Sequence, residues 1–141
     1  MRNRELRWAV VLLRLDPVEG HEQAGQRPAV VVSYEPFHHL GLLTVAPITS
    51  ARTEPRLPGD VVIPAGEAGL ARAGVIICSQ VRTVSVLRII AERIGASGGL
   101  RYVRDPTIRA SVRQALAHHL ALDVRPVVDG AEGSARFRED T

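Results

Sequence analysis

The apolar residues of this chain come in short, uninterrupted, β-branched runs, each closed off by glycine, proline or polar residues. That pattern limits the fold more than any other feature. Five runs read as strands: WAVVLLRLD (Trp8 to Asp16), PAVVVS (Pro28 to Ser33), LLTVAPI (Leu42 to Ile48), DVVIP (Asp60 to Pro64) and GVIICSQVRTV (Gly74 to Val84). They have strand length and strand-forming side chains and are too short for buried helices. The intervening PVEGHEQAGQR and SARTEPRLPG, and a segment holding Pro36, His38, His39 and Gly41, have the composition of exposed loops. Several short strands between such loops predict a small, highly curved sheet or barrel.

The period changes in the last third. In DPTIRASVRQALAHHLAL, Ile108, Val112, Leu116 and Leu120 recur every fourth residue, one apolar stripe on a helix. Asp105 is placed to cap it and Pro106 suits the first helical position. A shorter helical turn is expected over Ser85 to Ile90. Beyond Val124 no apolar period survives, so residues 125–141 are expected to be a frayed tail on a domain spanning residues 1–124. The expected fold class is mostly β (α+β), with a C-terminal helix closing the sheet and no internal repeat.

Composition narrows the function classes. The 141 residues suit one domain, and 45% hydrophobic with 23% charged residues argues against global disorder. No apolar run approaches the roughly 20 residues of a membrane helix, and the charged N-terminus is not followed by a secretory core, so the cytosol is the expected compartment and no membrane partner is expected. The one cysteine, Cys78, sits among apolar neighbours and reads as a buried, inert thiol. His38-His39 and His118-His119 are adjacent pairs that diverge on any regular element, and no carboxylates or cysteines stand at ligand spacing, so no metal is expected. All the basic residues are arginine and the net charge is +3, compatible with a polyanionic partner. Aromatics are only 4%, so base stacking would not dominate a nucleic-acid site. Phosphate-loop, dinucleotide-turn and serine-elbow motifs are missing.

The loop before the second strand gathers Glu22, Gln23, Gly25, Gln26 and Arg27. Arg27 cannot enter a core unpaired, so it belongs at the strand mouth, facing solvent or an anion. Thr49 and Ser50 place two hydroxyls at the end of another strand. Taken singly, these are a solvated loop and a pair of strand caps.

Taken together, LDPVEGHEQAGQRPAVVVS, VAPITS, PGDVVIPAGEAGL and ICSQVRTVSVLRI with a following ERIG resemble the MazF/PemK-type toxins, over about Arg7 to Leu122 and in the family's order and spacing. The resemblance implies an SH3-like barrel with appended helices, a homodimer with an RNA groove across its face, a cognate antitoxin, and cofactor-free, metal-independent cleavage of single-stranded RNA. By the same resemblance Arg27 falls on the catalytic arginine and Thr49 on the catalytic threonine. Glu22, Gln23 and Gly25 match the loop that holds the RNA backbone, with Gln26 and Ser50 beside these motifs. Gln80 and Arg82 match positions near substrate and dimer interface. The chain departs from the family at His21, often a small residue; at Ser79, usually acidic; and at Tyr34-Glu35-Pro36, more often an Asn/Asp-rich turn. These departures bear on base preference. His21 has two readings: an exposed loop side chain, or an imidazole that holds phosphate or relays a proton. The fold also leaves open a gyrase-poisoning toxin and a non-catalytic SH3-like binding module.

Overall fold

The computed structural model describes residues 5–15, 19–20, 25–92 and 100–122. Seven strands and one helix follow in chain order: β1 (Val10–Arg14), β2 (Gln26–Val31), β3 (Leu42–Thr49), β4 (Asp60–Ile63), β5 (Gly74–Ile77), β6 (Arg82–Ser85), β7 (Ile89–Glu92) and α1 (Pro106–His119). All pairings are antiparallel, in the order β4-β5-β3-β2-β1-β7, with β6 also on β3. The fold is the expected mostly-β one with a C-terminal helix. Among the described residues, however, hydrogen bonds do not close the sheet into a barrel.

Both faces of the central strands are buried, which is why their apolar runs are continuous and not alternating. Val10, Val30, Ala46, Ile48 and Ile76 pack beneath Ile108, Val112 and Ala115 of α1. Val11, Leu13, Leu15, Ala29, Val31, Leu43, Val45 and Val84 form a second cluster from the alternate positions. The helix begins as expected: the Thr107 N–H donates to Asp105 Oδ1 at 2.8 Å and Pro106 follows the cap.

Four expectations need correction. The run from Gly74 to Val84 is two strands, split by a 3₁₀ turn at Cys78–Gln80. Six steps along β3, from Leu42 to Ile48, correspond to nine along its neighbours, from Ser85 to Ile76, so the turn absorbs three residues. It is fixed by the Cys78 N–H donating to the Gly59 carbonyl at 2.8 Å. The helical turn of Ser85 to Ile90 shrinks to a 3₁₀ turn at Val86–Arg88, because Ile89 and its successors join β1 as an edge strand. The loop with Pro36, His38 and His39 is a 3₁₀ helix, Glu35–Leu40, ended by Gly41 at φ 81°. The apolar stripe of α1 stops short: the helix ends at His119 and Leu120 is 55% exposed, while Ala115 takes its place in the core. Residues 123–141, which include the expected tail, lie outside the described residues.

Trp8 departs from ordinary geometry. Its φ is 75°, costly for a bulky side chain at about 1–3 kcal/mol. Two backbone hydrogen bonds hold it there, from its N–H to the Val31 carbonyl and from the Val103 N–H to its own carbonyl.

Candidate active site

The β2–β3 ladder runs from Val31–Val45 to Ala29–Pro47. The ladder ends there: two residues further along each strand come Arg27, paired with Leu13 of β1, and Thr49, paired with Val75 of β5. Alternation sets both on the face of the second cluster, with Ala29 and Val45. Leu13, fully buried in that cluster, lies opposite Arg27 across β1–β2. Arg27 therefore stands half-buried at the end of an apolar wall, where its charge can meet an anion in reduced solvent.

Thr49 ends β3 and is only 4% exposed. Its Oγ1 accepts the Ala51 N–H at 3.1 Å, a small turn that fixes the rotamer. A hydroxyl used as an acceptor can still donate. Ser50, the next residue, is exposed. On the other side of Thr49, β5 crosses at Val75, and a Cβ built on Gly74 would come within 2.2 Å of the Thr49 carbonyl oxygen. Only glycine lets the two backbones approach this closely.

Arg82 opens β6 on the same face as Val84, and its Nη1 donates to the Leu15 carbonyl at 3.4 Å. The Leu15 N–H in turn donates to the carbonyl of Gly25, whose φ is 72°. Gly25, Arg27, Thr49 and Arg82 thus gather around one end of the second cluster. Gln80, half-buried, closes the 3₁₀ turn just before Arg82. Gln26, exposed at the start of β2, falls on the other face by alternation. His21, Glu22 and Gln23 lie outside the described residues.

Two supporting groups carry no signal in the sequence that sets them apart from ordinary polar residues. Asp60 braces the segment that leaves the Thr49 end of β3. Its Oδ2 accepts from Arg52 Nη1 at 2.8 Å and from the N–H groups of Arg56 and Leu57 at 2.9 and 3.1 Å. Burial pushes the Asp60 carboxyl upward, but these hydrogen bonds and the Arg52 charge outweigh it, and its pKa is lowered. Burial, with the Asp60 charge adding, drives the Cys78 thiol up to about 12, the inert thiol expected from its neighbours. At the far end of β2, Glu35 accepts the N–H groups of Leu6 and Arg7, and His38 Nε2 lies 2.5 Å from Ser33 Oγ. His39 points outward to the Pro36 carbonyl.

A sequence model of the PemK-like, MazF-like toxins of type II toxin–antitoxin systems matches residues 6–120. The endoribonuclease toxin ChpB of Escherichia coli K12 is 41% identical over 87 residues, 61% of this chain and 74% of its own length. Endoribonuclease PemK of Escherichia coli is 36% identical over 101 residues, covering 71% and 69% of the two chains. The solved structure of a mycobacterial endoribonuclease in complex with its cognate antitoxin superposes with a TM-score of 0.63 at 18% identity, over 86% of this chain and all of the other (100%). At that identity the likeness speaks for the fold alone. The match over residues 6–120 is what assigns the chain: it belongs to the PemK-like, MazF-like toxin family of type II toxin–antitoxin systems.

Proposed function

We propose that this toxin is an endoribonuclease that cuts single-stranded RNA without a metal, using the RNA's own 2′-hydroxyl as nucleophile. The observation that carries the reading is the placement of Arg27 and Thr49, each two residues beyond the Ala29–Pro47 pair, on the face of the buried second cluster in a chain of this family. RNA brings its nucleophile, so the protein has to align the 2′-oxygen with phosphorus and the leaving 5′-oxygen and to stabilise charge on the non-bridging oxygens. A guanidinium donates two parallel hydrogen bonds to phosphate and stays charged throughout. Thr49 adds a neutral donor. Arginine is a poor resting base at any ordinary pH, so Arg27 acts first on transition-state charge. The 2′-oxygen gives up its proton and bonds to phosphorus as the P–O5′ bond breaks, and the leaving 5′-oxygen takes up a proton, so none is gained or lost overall. The products are a 2′,3′-cyclic phosphate, or a 3′-phosphate after hydrolysis, and a 5′-hydroxyl.

In the same reading, Gly25, Gln26, Ser50, Gln80, Arg82, Glu22, Gln23 and His21 border the RNA path, the working form is a homodimer in the cytoplasm, and a cognate antitoxin covers the site. The test is incubation of the purified toxin with single-stranded RNA in excess EDTA, followed by analysis of the new ends. Cleavage to cyclic-phosphate and 5′-hydroxyl ends is expected, and an RNA with a 2′-deoxy sugar at the scissile nucleotide should bind but stay intact. A metal requirement, or cutting of the deoxy substrate, would contradict the mechanism.

A further inference from the structure

Around Trp8 and the start of α1 lies a second cluster of arginines that the cleavage site does not use. The guanidiniums of Arg7, Arg109 and Arg113 lie 5.4, 5.3 and 5.5 Å from the centre of one ring, Trp8. Arg104 lies 5.6 Å from the neighbouring Tyr102 ring. Stacking on the indole accounts for some of this gathering. It does not account for the charge. None of the four forms an ion pair with a carboxylate among the described residues. The nearby acids are engaged with backbone: Glu67 takes the N–H groups of Arg104 and Asp105, and Asp105 caps the helix. Arg7 Nε is enclosed with no acceptor among the described residues. Four guanidiniums thus gather here against the two nearby carboxylates of Glu67 and Asp105, which form no ion pair with them among the described residues.

We propose that this arginine platform is a second contact for the RNA backbone, holding phosphodiester groups outside the cleavage site; the inference rests on the RNA-cleaving reading above. Gathered about one ring, these guanidiniums keep N–H groups that can donate to phosphate oxygens, while Arg109 Nε itself donates to the Val103 carbonyl at 2.7 Å. Arg109 and Arg113 stand one helical turn apart on α1 and Arg104 lies against a different ring, Tyr102, so the guanidiniums can meet more than one phosphate. Trp8 is only 6% exposed, so the ring supports the guanidiniums and offers no face to a base. The platform sits at the start of β1, while Leu15 and Gly25 mark the cleavage end, about 23 Å away at strand rise. Only an RNA extended beyond the cleavage site can reach both.

Trp8 is the single tryptophan of the chain, so its emission reports directly on the platform. The test uses a short RNA that fills the cleavage site and a longer one extended on both sides, each with a 2′-deoxy sugar at the scissile nucleotide for binding and unmodified for cleavage. The longer RNA should bind more tightly, with a steeper salt dependence, and should change Trp8 emission; the short one should not. Arg104 and Arg113 are both exposed, so the double variant Arg104→Gln/Arg113→Gln removes charge with little disturbance of the core. In it the emission change should shrink and the log–log salt slope should fall by about 1.4, roughly 0.7 for each phosphate no longer neutralised. Cleavage of the short RNA should be unchanged. Equal affinity and slope in variant and wild type would overturn the proposal. So would a lowered thermal midpoint with an unchanged slope, which assigns the arginines to packing alone, or a Trp8 response to an acidic antitoxin segment and not to RNA. Wild-type toxin that binds the longer RNA through the platform but cuts neither RNA would sink the cleavage reading and leave this contact standing.

Discussion

Arg27 is readable in the sequence as a charge that cannot enter the core, and Thr49 as a strand-end hydroxyl. Their mutual placement is not, because it depends on the β2–β3 register, which no single segment specifies. Gly74 shows the same limit. A glycine at the head of a strand looks like punctuation, yet here a Cβ would collide with the Thr49 carbonyl. Gly74→Ala should therefore fold with a loss of about 1–3 kcal/mol and cut RNA up to about 10²-fold more slowly, since the Thr49 end of β3 must move. Single-turnover cleavage beside a thermal melt measures both, and full activity would remove Gly74 from any positioning role. Thr49→Ala should reduce cleavage less than loss of Arg27, because it deletes a neutral donor and not a charged one.

At the scale of elements, strands are legible wherever both faces are buried, since continuous β-branched runs leave no other reading. The break at Cys78–Gln80 is hidden because apolar Cys78 continues the run, while the backbone turns to meet Gly59. The edge strand β7 is hidden because it follows the 3₁₀ turn at Val86–Arg88 directly, with no glycine or proline to set it apart. The β3–β4 connection depends on Asp60. The folded-state pKa of Asp60 is lowered, so its contribution is fully present above the unfolded carboxyl pKa and is lost as pH falls through the folded one, in the acid range below about 4. Asp60→Asn should lower stability at neutral pH by about 1–3 kcal/mol and flatten the acid limb of the stability curve. Chemical denaturation between neutral and acid pH tests this, and two parallel curves would count against it.

For the whole molecule, the two-cluster core explains how one short domain presents a charged site. The second cluster supplies the wall, and the arginines stand at its rim. Exposed Leu40, Leu42 and Leu87 lie together where Leu42 pairs with Ser85, an apolar patch that suits the proposed homodimer. Sedimentation should show a dimer that Leu42→Ser/Leu87→Ser dissociates; a wild-type monomer at micromolar concentration would reject that surface. We propose a test of His21 through the pH profile of cleavage. If its imidazole takes part, cleavage inflects between roughly pH 6 and 8 and His21→Asn removes the inflection.

In the proposed mechanism, RNA cleavage turns on the charge that Arg27 brings to the transition state. Single-turnover cleavage of one RNA, in EDTA, by wild type and Arg27→Ala isolates that charge, with the fold and dimer state of both checked alongside. A folded variant that cuts about 10²–10³-fold more slowly is expected, the usual effect of losing one charge-stabilising donor. An Arg27→Ala toxin that cuts within a few-fold of wild type would take that role away from Arg27.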